Sequence, residues 1–356
     1  MTHLELFAGI GGFRRAIDLV GKDLHIPMRC VGYSEIDKNA QRTYYANFGD
    51  NSAEKAIGDI VTFTGNVANI EKLPNFDLLT AGFPCQSFSV MGGQLGFSDP
   101  TRGQMFYRIL DILKLKRPKY ILLENVKNLY SHDHGNTFAI ICRNLEGIGY
   151  NLCFDIFNTN EFHLAQKRNR VYIFGSLNVL PKRFVFNHNV IAQHLDKIID
   201  TSSLQNQKTT LDILQPVVAT KYFLSERIKP TLLSDGSSGF KSKSDINQLQ
   251  ARPLTASMHK MHRACQDNYF SQNFIESNGS DNPVDYATKE ELCKLPIRKL
   301  TPQEALMLQG FPAEWALRAQ AAGVSDGALY KQAGNAVSIN TVYAIVRYLI
   351  DYKIMQ

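Results

Sequence analysis

Apolar residues in the first half of the chain come in short unbroken runs, at 4–7, 29–34, 76–81, 120–124, 150–157 and 170–175. Runs such as Tyr-Ile-Leu-Leu-Glu-Asn, from Tyr120 to Asn125, do not alternate with polar residues. That pattern predicts strands covered on both faces, as in a parallel sheet. Helical patterns such as 105–115 separate the runs. The fold class is therefore α/β, a mostly parallel doubly wound sheet.

From about residue 181 to 296 the regular pattern gives way to Ser-, Asn- and Lys-rich sequence, with segments such as Ser-Asp-Gly-Ser-Ser-Gly at 234–239. This predicts a smaller, loop-rich second domain. The closing segment, 328–350, is again apolar at helical spacing (Val337, Val342, Ile345, Val346, Leu349) and is expected to return to the first domain. The division drawn from sequence is 1–178 with 325–356, discontinuous, and 179–324.

At 356 residues a sizeable core is easily buried, and 44% hydrophobic composition is that of a globular protein. We expect neither an export signal nor a membrane span. The six cysteines contain no Cys-x-x-Cys pair, which argues against a thiolate zinc site and for reduced thiols in a cytoplasmic protein. The net charge of +6 is mild, but Lys241, Lys243, Arg252, Lys260 and Arg263 cluster in 237–264 against one acid, Asp245. Such a patch suits a polyanion.

Four places carry candidate chemistry. Residues 4–13, Leu-Glu-Leu-Phe-Ala-Gly-Ile-Gly-Gly-Phe, read as strand, glycine turn and helix, where a backbone can approach a nucleotide-like ligand. Glu35, at the end of the second strand, can accept both ribose hydroxyls and would repel a 2′-phosphate. Asp59, in Gly58-Asp59-Ile60, suits an adenine amino group, and equally an ordinary helix cap. The fourth place is Gly82-Phe83-Pro84-Cys85-Gln86-Ser87 at the end of the third strand. A cysteine is more often a small buried hydrophobe. Here rigid Pro84 presents it at the sheet edge where α/β folds bind ligands.

With these pieces in order the chain resembles the DNA (cytosine-5)-methyltransferases of bacterial restriction-modification systems. The resemblance rests on Phe7-Ala8-Gly9-Ile10-Gly11, Glu35, Asp59-Ile60, Pro84-Cys85-Gln86-Ser87, Glu124-Asn125-Val126, Gln166-Lys167-Arg168-Asn169-Arg170, the run from Arg298 to Glu304, and Gly334-Asn335-Ala336-Val337. It implies a Rossmann-like methyltransferase fold containing an antiparallel strand, S-adenosylmethionine as methyl donor with S-adenosylhomocysteine as product, and no metal. His259, His262 and Cys265 have a spacing a metal could use, but no fourth ligand accompanies them.

The resemblance implies a catalytic set of Cys85, Glu124, Arg168 and Arg170. Cytosine C5 is a poor nucleophile until the ring is attacked at C6. Cys85 is the expected nucleophile, Glu124 the acid at the N3/N4 edge, Arg170 the ligand of O2, and Arg168 a structural or phosphate contact beside it. Both arginines precede the run 171–175, so they can face the site only if that strand runs antiparallel. The implied cofactor residues are Phe7, Gly9, Gly11, Glu35, Ile36, Asp59, Ile60, Pro84, Met105 and Asn335. Ile36 departs from the aromatic residue frequent there.

The target cytosine must leave the duplex, and the loop 89–96 is a candidate lid. The DNA contacts expected are Gln86, Ser87, Met91, Arg252, Ser257, His259, Lys260 and Arg263. The partners expected are double-stranded DNA and a restriction endonuclease acting on the same site, for a monomeric, nucleoid-associated enzyme. A transfer-RNA cytosine-5 methyltransferase shares the motifs but typically carries a Cys-Phe-Thr signature absent here. A nicotinamide-dependent dehydrogenase leaves Cys85, Glu124 and Arg170 unexplained, and a non-catalytic DNA-binding relative has no use for an intact nucleophile and acid.

Overall fold

The computed structural model describes residues 1–49, 54–84, 104–235 and 242–356. Its two compact units are Met1–Asn158 with Asn169–Leu204 and Val337–Gln356, and Thr159–Arg168 with Gln205–Ala336.

Seven strands form one sheet in the first unit: β1 (Thr2–Leu6), β2 (Arg29–Tyr33), β3 (Lys55–Ala56), β4 (Leu78–Gly82), β5 (Tyr120–Val126), β6 (Asn151–Asn158) and β7 (Asn169–Ser176). Their order is β3-β2-β1-β4-β5-β7-β6. The strands from β3 to β5 pair in parallel, while β7 runs antiparallel to both β5 and β6, the direction expected from the sequence. Helices α1 (Gly12–Leu24), α2 (Lys38–Phe48), α3 (Ile60–Thr64), α4 (Val67–Glu71), α5 (Gln104–Lys116), α6 (Asn128–Ser131), α7 (Asn136–Gly147) and α8 (His188–Asp196) join or follow the strands.

The unbroken apolar runs are explained by burial on both faces. Leu4, Leu6, Leu79, Ala81, Ile121, Leu123, Val171 and Ile173 form one core with Ile60, Phe63, Ile70, Ile109, Leu113 and Ile141 of the helices. The edge strand β6 is only partly buried, with Phe154 exposed. Sequence pattern misses β3, whose two residues pair with β2 because Gly32 has no Cβ to meet the Lys55 carbonyl, which would lie 2.7 Å away.

The second unit holds α9 (Lys229–Leu233), the strand β8 (Tyr269–Ser271), α10 (Gln272–Glu276), α11 (Lys289–Leu292), the strand β9 (Ile297–Lys299) antiparallel to β8, α12 (Pro302–Met307), α13 (Glu314–Ala321) and α14 (Asp326–Asn335). Arg298 and Glu304 form a fully buried ion pair at 2.8 Å, and Glu304 also accepts the Thr301 N–H at 2.7 Å in a capping box. Much of the run from Arg298 to Glu304 is thus structural. Helix α15 (Ile339–Asp351) lies in the first unit against α1 and α8.

These units differ from the division drawn from sequence in three places. Residues 179–204 stay with the first unit, where His188 donates its N–H to Asp155 of β6 and Ser203 hydrogen-bonds Asp23 of α1. Residues 159–168 join the second, tied by the bonds Lys167 N–H to Ala251 O and Ala251 N–H to Ala165 O. The closing segment is two helices, α14 in the second unit and α15 in the first, with the change at Ala336 and Val337.

Candidate active site

The carboxyl end of β1 turns sharply: Phe7, Gly9 and Gly11 all have positive φ, at 54°, 56° and 85°. Polar groups from the end of β2 hold the turn. Ser34 Oγ accepts the Phe7 N–H (3.0 Å), and Glu35 Oε2 accepts that of Gly9 (2.8 Å). Glu35 Oε1 accepts the N–H groups of Ile36 and Asp37 (2.8 and 2.7 Å). A carboxylate offers about four acceptor sites, so Glu35 orders the loop with three and keeps one on Oε2. The two glycines serve different ends. A Cβ at Gly9 would meet nothing within 4 Å, whereas one at Gly11 would fall 2.2 Å from the Phe48 ring. Gly9 borders open space, and Gly11 lets α2 pack.

Sequence reasoning missed Glu5. This fully buried carboxyl accepts the Phe13 and Arg14 N–H groups (3.2 and 3.4 Å), capping α1, whose own cap residue is a glycine. Burial pushes its pKa up to about 8. Arg14 makes a two-pronged pair with Glu54 (2.7 and 2.6 Å) and binds the Tyr44 hydroxyl, tying α1 to α2. Nothing in a glutamate four residues from the start marks such a role; only the return of α1 creates it.

Ile36 is 70% exposed and is followed by Asp37, which caps α2. Asp59 is exposed and caps α3 through the Val61 N–H (3.0 Å) and Thr62 hydroxyl (2.6 Å), the latter foremost in lowering its pKa. Both sequence readings of Asp59 remain compatible with that geometry. Ile60 lies inside the core, with Met105 packed at its margin. An open glycine turn, a carboxylate with a remaining acceptor site, an exposed apolar side chain and an exposed carboxylate suit a nucleoside with a charged tail.

At the ends of β4 and β5, Arg170 Nε lies 3.0 Å from Glu124 Oε1, their side chains 18% and 10% exposed. The antiparallel register pairs Arg170 with Val126 and Glu124 with Tyr172, bringing both groups to one place. The last β4–β5 pair, Gly82 with Glu124, puts the strand leading to Cys85 beside them. Cys85, Gln86, Ser87, Met91 and the candidate lid 89–96 lie outside the described residues.

Arg168, two residues from Arg170, points elsewhere. It is 2% exposed and donates to the carbonyls of Leu254, Gly334 and Ala336, each at 3.0 Å. It is a buried clamp, with no surface for a phosphate. Asn335, between two of those carbonyls, ends α14 and is exposed in the second unit.

In the basic segment of the second unit, His259 and Lys260 are exposed on the short turn Met258–Lys260, and Ser257 precedes them. Arg252 is half-buried and donates to the Asp245 carbonyl (3.0 Å), which leaves it less available than expected. His262 gives its N–H and turns its ring to Asp267 (2.7 and 3.2 Å) rather than towards His259 and Cys265. Arg263 is half-buried.

The C-5 cytosine-specific DNA methylase family model matches residues 1–351. The Type II methyltransferase M1.ScrFI of Lactococcus lactis subsp. cremoris is 35% identical over 351 residues, 98% of this chain and 77% of its own. The Type II methyltransferase M.HaeII of Haemophilus aegyptius is 35% identical over 348 residues, covering 98% and 92%. Among solved structures, the S. pombe Dnmt2 methyltransferase aligns with a TM-score of 0.75 over 99% of each chain at 21% identity, a likeness of fold. Sequence and fold agree: the chain belongs to the C-5 cytosine-specific DNA methylase family, enzymes that methylate cytosine C5 in DNA with S-adenosylmethionine.

Proposed function

We propose that this chain performs its family's reaction through a covalent bond between Cys85 and C6 of a cytosine turned out of duplex DNA, with Glu124 and Arg170 holding the base. The observation that carries the reading is the Arg170–Glu124 pair beside the strand end that leads to Cys85. A guanidinium and a carboxyl side by side match the O2 and N3/N4 positions of one cytosine edge.

The sulfur of Cys85 attacks C6, and the C5–C6 π electrons move to give C5 enamine character. Glu124 supplies a proton to N3 as that charge develops, and the Arg170 guanidinium faces O2. S-adenosylmethionine supplies an electrophilic methyl group. Once methylated, C5 gives its proton to a base in the site, the electrons of that C–H bond re-form the C5–C6 double bond and expel the Cys85 sulfur as thiolate, and N3 returns its proton to Glu124.

Phe7, Gly9, Glu35, Ile36 and Asp59 of the first unit are our residues for the cofactor, with Asn335 added by resemblance. Gly11 and Ile60 serve by packing. His259, Lys260 and Ser257 are our primary candidates for DNA contact. The naming of the relatives as Type II methyltransferases supports one short duplex target, shared with a restriction endonuclease.

The test is incubation with S-adenosylmethionine and DNA in which 5-fluorocytosine replaces cytosine. Fluorine at C5 cannot leave as a proton, so the enzyme stays attached. A denaturation-resistant adduct that Cys85→Ala abolishes is expected, and the absence of any adduct with the wild-type chain would sink the mechanism.

A further inference from the structure

We propose that Asn125 is a positioning residue for the nucleophile: its side-chain amide carries the β4–β5 pairing one residue past its last rung and fixes the direction in which the chain leaves β4 towards Cys85. The inference rests on the proposed role of Cys85.

The parallel ladder between β4 and β5 ends at Gly82 and Glu124. It cannot continue unaided on the β4 side, because Pro84 has no N–H to give. The Phe83 carbonyl follows the last rung, and its residue is 3% exposed. A buried carbonyl without a donor is costly, so something must replace the rung. The Asn125 Nδ2 does so, donating to Phe83 O at 2.8 Å, with Asn125 itself 3% exposed. Its Oδ1 accepts the Val126 N–H at 2.9 Å. The two bonds fix which end of the amide faces Phe83, since the reversed amide would set oxygen against oxygen.

Phe83 is held at its other end too. Its ring lies in the core beside Phe106, with centroids 6.0 Å apart. With side chain and carbonyl both fixed, the plane of the Phe83–Pro84 peptide is set, and Pro84 fixes the next φ. Cys85 follows immediately in sequence. Asn125 is also the neighbour of Glu124, so one dipeptide of β5 carries the acid and the tie that orients the approach to the nucleophile. A tie of this kind acts through the course of the chain at Phe83 and Pro84, upstream of the nucleophile. Misplacement of reacting groups by about 1 Å can cost roughly 10²-fold in rate.

The test compares wild type with Asn125→Ala and Asn125→Asp, the latter keeping size and shape while losing the amide donor. Measurements on the full chain are the single-turnover rate of adduct formation on DNA fully substituted with 5-fluorocytosine, kcat and KM on plasmid DNA, S-adenosylhomocysteine affinity by calorimetry, and the thermal midpoint. We expect adduct rate and kcat to fall roughly 10²-fold and the thermal midpoint to drop in both variants, because the Phe83 carbonyl loses its donor, with KM and cofactor-product affinity close to wild type at a temperature where the variants remain folded. Wild-type adduct rates in either variant, or a rate loss matched by an equal loss of DNA and cofactor-product binding, overturn the inference while the cysteine mechanism stands. A wild-type chain that forms no adduct overturns both.

Discussion

Arg170 and Glu124 meet at 3.0 Å although they sit on strands that run in opposite directions, because β7 is reversed against β5 and its first residues lie beside the last ones of β5. A parallel strand in that place would put Arg170 at the far edge of the sheet. The reversal therefore joins two groups that the proposed chemistry needs together. Arg170→Ala is expected to lower kcat and adduct formation by 10²- to 10³-fold, the usual scale for removing one preorganised donor. Arg170→Lys should recover only part, since it keeps the charge and loses the planar fork. Calorimetry with S-adenosylhomocysteine should show affinity within about twofold of wild type. Unimpaired adduct formation in Arg170→Ala would remove Arg170 from the mechanism.

The two glycines of the β1 turn should respond differently to one added methyl group. Both require positive φ, worth about 1 kcal/mol or more against alanine. Only Gly11 also faces the Phe48 ring, 2.2 Å from a Cβ. Gly11→Ala should therefore unfold at markedly lower urea concentration than Gly9→Ala. Trimming the ring with Phe48→Ala in the Gly11→Ala background should recover part of the loss, a coupling of about 1 kcal/mol in a double-mutant cycle. Gly9→Ala, projecting into open space at the proposed cofactor site, should keep most stability and weaken S-adenosylhomocysteine at least tenfold. Equal stability losses at the two positions would contradict the packing role of Gly11.

Sequence could show the six principal strands because burial on both faces leaves unbroken apolar runs, and with them the place of Glu35 just past the end of the second strand. What it could not show depends on chain returns. Glu5 is one acid within an apolar strand until α1 folds back and sets two N–H groups over it. Arg168 and Arg170 are the same residue type two positions apart. One enters β7 and meets Glu124, while the other precedes the strand and binds carbonyls 86, 166 and 168 residues away in sequence. No local pattern separates them. Residues 159–168 likewise look like a turn between strands, and their partners are Ala251 and Leu308.

Glu5 should make stability depend on pH in a definite direction. Burial, partly offset by the α1 N–H groups and Arg14, raises its folded pKa from 4.5 to about 8. Below pH 4.5 the carboxyl is protonated in folded and unfolded chains alike, and its contribution is fully present. As pH rises towards 8 the unfolded chain gives up the proton while the folded chain retains it, so stability is progressively lost. Glu5→Gln keeps an acceptor for Phe13 and Arg14 and cannot ionise. Its unfolding free energy should gain on wild type by roughly 2 kcal/mol or more between pH 5 and pH 8. Buried His3, pushed down to about 3, acts with the opposite sign over pH 3–6.5, and it is common to both proteins. Urea titrations at pH 5, 6.5 and 8 supply the difference curve; a flat one would contradict a raised Glu5.

Arg168 and Lys260 should separate a structural cation from one that meets DNA. The Arg168 guanidinium is buried on three carbonyls, and hydrogen bonds from a charged donor are worth about 1.5–3 kcal/mol each. Arg168→Met leaves those carbonyls without that donor and should lower unfolding free energy by roughly 3 kcal/mol or more. At a temperature where it remains folded, the slope of log affinity for plasmid DNA against log salt should match wild type, because no phosphate contact has been lost. Lys260 is exposed on a turn of the second unit. Lys260→Ala should leave stability within about 0.5 kcal/mol of wild type and reduce the salt slope by about 1, the signature of one phosphate contact. If the slope falls for Arg168→Met and stays fixed for Lys260→Ala, the two assignments are reversed and the basic turn is not the DNA-facing element.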